Sequence, residues 1–185
     1  STHITTLANG IRVVSHKMAH LETLSLGIWV ATGARHEAPF EHGMSHLLEH
    51  MAFKGTATRS AADVNRELDE IGSHSNAYTS EEQTVYFAAF LPEYQAQAVE
   101  LLSDILRPAL RPADFETEKL VILEEIAKYE DQPPFGAHEK CMALHFGTHP
   151  LARNVLPVPA ARSTATVSNT AASIWLATAR RQMSV

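Results

Sequence analysis

His46, Glu49 and His50 stand in the segment Gly43-Met44-Ser45-His46-Leu47-Leu48-Glu49-His50-Met51. On a helix turning about 100° per residue, His46 and His50 project about 40° apart, and Glu49 lies about 60° to the other side of His46. Imidazoles one turn apart can reach a single Zn²⁺ at roughly 2.0 to 2.1 Å, and a carboxylate beside them can take a proton from water activated there. Met44, Leu47, Leu48 and Met51 fill the opposite arc, so the helix buries an apolar back and turns a ligand face to a cleft. Histidine pairs at i and i+4 are common on solvated helices. The added acid and the apolar back are what point to a metal. His42, one turn before His46 on the same face, is a rival partner, but no acid stands beside it and Gly43 puts it near a fraying first turn.

A catalytic zinc site takes three protein ligands and keeps a fourth position for water. The third must come from another element. A helix expected from about Asp114 to Asp131 carries Glu116, Glu118, Glu124 and Glu125. Glu118 and Glu125, seven apart and so within about 20° of each other, share a face with Phe115, Val121, Ile122, Ile126 and Tyr129. Glu116 and Glu124 point elsewhere. Carboxylates on an apolar stripe are costly to bury unless paired or bound to a cation. Glu118 and Glu125 are therefore candidates for the site, and ion pairing to a nearby Lys or Arg is the competing reading. Leu120 and Leu123 make a second side of this helix apolar as well.

The elements that must position these groups follow from pattern. Alternating residues on either side of Asn9-Gly10 read as a hairpin, and Leu24 to Thr32 as a longer strand paired with it. Helical spacing begins after Pro39 and stops at Lys54-Gly55. Ser60 caps a second helix carrying Val64, Leu68 and Ile71, with Gly72 just past its end. Ser73 to Thr79 and Thr84 to Leu91 read as strands. Pro92 opens a helix with Val99, Leu102 and Leu106 on its stripe. Pro133-Pro134 ends the long acidic helix, a shorter helix covers Lys140 to Phe146, and Ile174 to Arg181 looks helical again. Strands, then helices, then strands, with hairpin-length connections, imply an α+β fold: a mostly antiparallel β-sheet covered by helices.

Composition narrows the function classes. The 185 residues form one domain by size, and 45% hydrophobic residues are enough for a core. A net charge of −6 without a Lys/Arg block excludes the usual footprint of nucleic-acid and polybasic membrane binders. The longest apolar runs, such as Leu26 to Ala31, fall far short of the roughly 20 residues of a membrane span. Cys141 is the lone cysteine, which rules out an internal disulfide. Ser1 to Gly10 lacks a secretory pattern, so the expected location is cytoplasmic, with a processed form in another compartment also fitting.

His46-Leu47-Leu48-Glu49-His50 has the H-x-x-E-H order of the inverzincins. Around it, five stretches in order resemble the pitrilysin family, and within it the processing-peptidase type. They are Gly33-Ala34-Arg35-His36-Glu37, His46 to Thr56 (HLLEHMAFKGT), Asn76-Ala77-Tyr78-Thr79-Ser80, Glu118 to Tyr129, and His149-Pro150-Leu151. The resemblance covers roughly residues 3 to 151. It implies a zinc metalloendopeptidase of the N-terminal half-domain type with one Zn²⁺ ion, His46, His50 and Glu125 as ligands, Glu49 as general base, and Glu118 as a supporting glutamate. Asn76, Ala77, Tyr78 and Thr79 would form the edge strand on which an extended peptide substrate aligns.

Family chains continue into more of this domain and then a similar second one. The expectation is therefore a single, apparently truncated catalytic-type domain over residues 1–185 with a divergent tail at 152–185. Its partner would be a related subunit, in a homo- or hetero-oligomer that completes the substrate chamber. The alternative is a non-catalytic peptide-binding or scaffolding subunit of the same fold.

Overall fold

The structure, a computed structural model, describes residues 1–130 and 132–156. Among them, the elements in chain order are β1 (Thr2–Thr6), β2 (Arg12–His16), β3 (Leu24–Val30), α1 (Met44–Ala52), α2 (Ala61–Glu70), β4 (His74–Thr79), β5 (Thr84–Phe90), α3 (Gln95–Ile105), α4 (Pro112–Glu130) and α5 (Pro133–Phe146). The helix expected at Ile174 to Arg181, and the tail from residue 157 onward, lie outside the described residues.

The α+β architecture is as expected, but one pairing differs. β1 and β2 form a hairpin around Gly10 with Ile4 opposite Val14, and it makes a separate two-stranded sheet. β3 does not join it. It pairs antiparallel with β5, Leu24 opposite Phe90 and Val30 opposite Thr84, giving a three-stranded sheet in the order β3-β5-β4. The reason is burial. Leu24, Leu26, Ile28 and Val30 pack on the same core as Tyr86, Ala88 and Phe90, whereas the residues of β1 and β2 are all exposed. All pairing in the larger sheet is antiparallel, and β3 and β4 are its edges.

Two helices close the core against this sheet. α2 begins at Ser60, whose hydroxyl accepts from the Asp63 N–H while Asp63 reaches back to the Ser60 N–H, and it buries Val64 and Leu68. On α3 the buried stripe is Ala98, Leu101, Leu102 and Ile105; of the expected Val99, Leu102 and Leu106, Leu102 is buried and Leu106 packs partly against the core, whereas Val99 is exposed. Pro133-Pro134 also differs from expectation. These prolines open α5 instead of merely ending α4, because proline is well suited to the first turn of a helix, where no N–H partner is needed.

A polar junction ties the loop after α1 to α2 and α3. Asp104 on α3 accepts from Thr56 Oγ1 at 2.7 Å and pairs with Arg59 at 2.8 Å, and Arg59 also pairs with Glu67 at 2.9 Å. Burying Leu101, Leu102 and Ile105 contributes roughly 1.5 to 3 kcal/mol each. An exposed ion pair contributes about 0 to 1 kcal/mol, so packing docks α3 and the junction sets its register.

Desolvation raises the Asp104 pKa, but the bonds from Thr56, Arg59 and Thr58 outweigh it and hold the carboxyl below its ordinary range. Its folded value lies below its unfolded one, so the junction adds stability that is full above about pH 4 and is lost as pH falls through the lowered value. Asp104→Asn is expected to lower the urea midpoint at pH 7 and to narrow its gap to the parent chain near pH 3. An equal gap at both pH values would contradict this.

Candidate metal centre

α1 is short, and its start is set with care. Gly43 precedes it with φ of 88°, a left-handed conformation that a side chain would strain. The buried Glu37 carboxylate accepts the N–H groups of Gly43 at 2.8 Å and Ser45 at 2.7 Å, satisfying donors that the first turn leaves free. Burial pushes the Glu37 pKa up, against the pull of these bonds. The Arg153 guanidinium donates to the carbonyls of Arg35 and Glu37, so the segment after α5 clasps the loop that caps α1. His42, the rival ligand, is drawn into the same clasp: it lies before the helix and its Nε2 donates to the Asn154 carbonyl at 2.8 Å.

Leu47, Leu48 and Met51 pack with Ile122 and Ile126 of α4. That contact lays the Glu118, Ile122 and Glu125 stripe of α4 along the histidine side of α1. Glu118 is only 2% exposed. Its Oε2 accepts the His50 Nδ1–H at 3.0 Å, and its Oε1 is 2.6 Å from the Lys54 ammonium. Both readings of the acidic stripe therefore hold, one for each glutamate: Glu118 is ion-paired to Lys54, while Glu125 turns to the histidines.

His46 Nε2 and His50 Nε2 are 3.3 Å apart, and Glu125 Oε2 is 3.6 Å from the first and 3.5 Å from the second. Ligand atoms placed tetrahedrally around zinc at about 2.0 to 2.1 Å would lie about 3.3 to 3.4 Å from one another, so this donor set fits such an ion. These are the His, His and carboxylate groups able to hold a metal among the described residues. Electrostatics agree with that use. Burial and the neighbouring His50 push the His46 pKa down to about 4, leaving its imidazole neutral, as a ligand must be. Burial also pulls His50 down, but bonds to Glu125 and Glu118 carry it above its ordinary value. Glu125 is held low by its bond to His50.

Glu49 flanks the cluster, its carboxylate accepting the Thr79 hydroxyl at 2.6 Å. Burial raises its pKa, partly offset by Thr79. His46, Glu49 and Glu125 line one end of a cleft of about 470 Å³ whose walls include Asn76, Ala77, Tyr78 and Thr79 from the β4 edge, His138 and Met142 from α5, and Arg153 to Leu156. Of the site residues expected from the sequence, His46, Glu49, Glu125 and Asn76 to Thr79 line this cleft, His50 adjoins it through His46 and Glu125, and Glu118 stands behind His50. Pattern reading missed Lys54 and Glu37, whose partners lie in other elements. The signal available was Lys54 at the end of the same short helix as two histidines.

An antiparallel α+β layer carrying a His/His/Glu cluster with a second acid beside it defines a domain with a candidate metal centre. The family model described as insulinase (peptidase family M16) matches residues 12–157, and the chain belongs to that family. An uncharacterised zinc protease, YmxG, of Bacillus subtilis is 38% identical over 152 residues, covering 82% of this chain and 37% of that protein. The mitochondrial-processing peptidase subunit beta of Lentinula edodes is 40% identical over 156 residues, covering 84% of this chain and 34% of that one. The chain thus spans little more than a third of the length of these relatives. A protease from Helicobacter pylori shares the fold with a TM-score of 0.85 at 23% identity, over 94% of this chain and 42% of that one. A peptidase M16 inactive domain from Pseudomonas fluorescens does so with a TM-score of 0.74 at 17% identity, over 89% and 42%.

Lys54→Met is expected to weaken zinc retention about 10- to 100-fold, the usual effect of losing a group that orients a ligand, as read by competition with a chelator. Lys54→Arg should recover part of it. Unchanged retention in Lys54→Met would separate Lys54 from the centre.

Proposed function

We propose that this chain is the catalytic domain of a zinc-dependent endopeptidase acting on unfolded or flexible peptides. The observation that carries this reading is the tetrahedral spacing of His46, His50 and Glu125 beside Glu49, at the end of a cleft walled by a strand edge. In this reading the three residues hold one zinc ion. Bound there, the ion supplies Lewis-acid chemistry, polarising a peptide carbonyl and acidifying a water.

The rest falls to the chain's own groups. Glu49 accepts the proton of the attacking water at its carboxylate and passes it to the leaving nitrogen, and its desolvated site raises its pKa toward the range useful for a base. Glu118, charge-balanced by Lys54, keeps the His50 ring turned so that Nε2 faces His46 and Glu125. The segment Asn76, Ala77, Tyr78 and Thr79 aligns the peptide as an added strand. Asn76 Oδ1 holds the Ala77 N–H at 2.9 Å and swings aside when the peptide pairs there. Recognition through main chain favours substrates without fixed structure of their own.

A related subunit completes the chamber. Among the described residues the cleft is formed by one domain, and the relative from Lentinula edodes is named as one subunit of a processing peptidase. In this reading the partner is a second copy of this chain or a homologous chain. No helix among the described residues is long and apolar enough to cross a membrane.

Glu49→Gln tests the assignment of the base. The variant is expected to keep one zinc per chain while peptide hydrolysis, measured with the chain and its partner subunit together, falls about 10²- to 10⁴-fold. Equal turnover would overturn the role of Glu49. Peptide binding by the zinc-loaded parent chain with no cleavage would replace the peptidase by a scaffolding subunit.

A further inference from the structure

We propose that Thr79 is the positioning residue for the Glu49 carboxylate, so that one residue of the substrate-facing edge aims the base. The inference rests on the peptidase reading above and goes beyond alignment of the peptide. It starts from strand register. The Ser80 N–H bonds the Gln83 carbonyl at 2.8 Å, so Thr79 and Thr84, the next pair along, form a non-hydrogen-bonded rung. In such a rung the N–H and C=O point away from the partner strand. The Thr79 N–H is thereby turned to the outer side of β4, and the Thr79 hydroxyl donates to the Glu49 carboxylate at 2.6 Å.

The hydroxyl is itself oriented from behind. Thr84 Oγ1 lies 3.4 Å from Thr79 Oγ1, and the Thr84 proton is committed to the Thr32 carbonyl at 2.9 Å. Thr84 therefore has no proton to offer Thr79, and the Thr79 hydroxyl faces Glu49 as donor. Thr84 is buried, and a β-branched threonine is stiff about its first torsion, which keeps this arrangement in place. Glutamate, by contrast, has three soft torsions. Among the described residues no Lys, Arg or His forms an ion pair with Glu49. Without Thr79 nothing comparable would hold the carboxylate within the roughly 0.5 Å that a productive geometry tolerates. Valine at position 79 keeps the shape and removes the hydroxyl donor, while serine keeps the donor.

Two measurements decide the proposal. In the metal-free 185-residue chain, urea unfolding of the parent, Thr79→Val, Glu49→Ala and the double variant forms a double-mutant cycle. The expected coupling is about tenfold in the unfolding equilibrium constant, the scale of a hydrogen bond to a charged group. Additive effects would overturn the contact. In zinc-loaded chain with its partner, Thr79→Val should lower kcat about 10- to 100-fold with KM within about twofold and zinc content unchanged, and Thr79→Ser should stay within about threefold of the parent. A loss carried by KM, or equal loss in the serine variant, would make Thr79 a substrate-aligning residue instead and overturn the proposal. If the parent chain hydrolyses nothing, the peptidase reading fails, and the cycle alone still accepts or rejects the Thr79–Glu49 link.

Discussion

Everything at the centre of this molecule depends on one buried contact, that of the His50 ring with two carboxylates of α4. Moving an ionised carboxylate out of water costs several kcal/mol unless it is paired and hydrogen-bonded. Glu118, almost fully buried, meets both conditions, with Lys54 on one oxygen and His50 Nδ1 on the other. That arrangement decides which nitrogen of His50 carries the proton, and so leaves Nε2 to face His46 Nε2 and Glu125. Removing either partner would leave a charge stranded in the interior. The contact therefore acts on stability and on the metal centre together.

The apolar residues of α1 make this contact available. Leu47, Leu48 and Met51 pack against Ile122 and Ile126, and that packing brings Glu118 and Glu125 to the histidines in register. The start of α1 is held from the other side by Glu37, whose backbone is gripped by Arg153 far along the chain. Its third neighbour is β4, which offers Thr79 to Glu49. One nine-residue helix thus takes its geometry from a loop, a long helix and a strand edge. The fold by itself does not separate an active member from an inactive one, since the M16 inactive domain of Pseudomonas fluorescens shares it.

Much of the site was legible in advance because helix periodicity is strict. The i, i+4 spacing placed His46 and His50 together, and the seven-residue spacing placed Glu118 and Glu125 on one stripe that the structure turns toward α1. What was not legible involves pairing between elements. β3 looked like a continuation of the first hairpin because adjacent strands commonly pair, but its apolar face belongs to the core shared with β5. Pro133 looked like a stop and is also a start. On α3 Leu102 faces the core as its spacing implies, but Val99 is exposed and Ala98, one residue and so about 100° away, is buried in its place, because it is the packing of neighbouring elements that selects the buried arc.

The amino-acid order alone determined the local elements and the types of group they display, since a helical turn or a tight hairpin is set by backbone bonds and torsions within a few residues. It determined that a helix presenting His46 and His50 on one face and an acidic helix exist. Only the tertiary structure decided that Glu125 turns to the histidines while Glu118 stands behind them with Lys54, and that Thr79 belongs to Glu49. Those choices join groups as far apart in the chain as His46 and Glu125. No periodicity along the chain encodes such separations, because they are settled by which apolar faces bury each other and by which buried charges find a partner there.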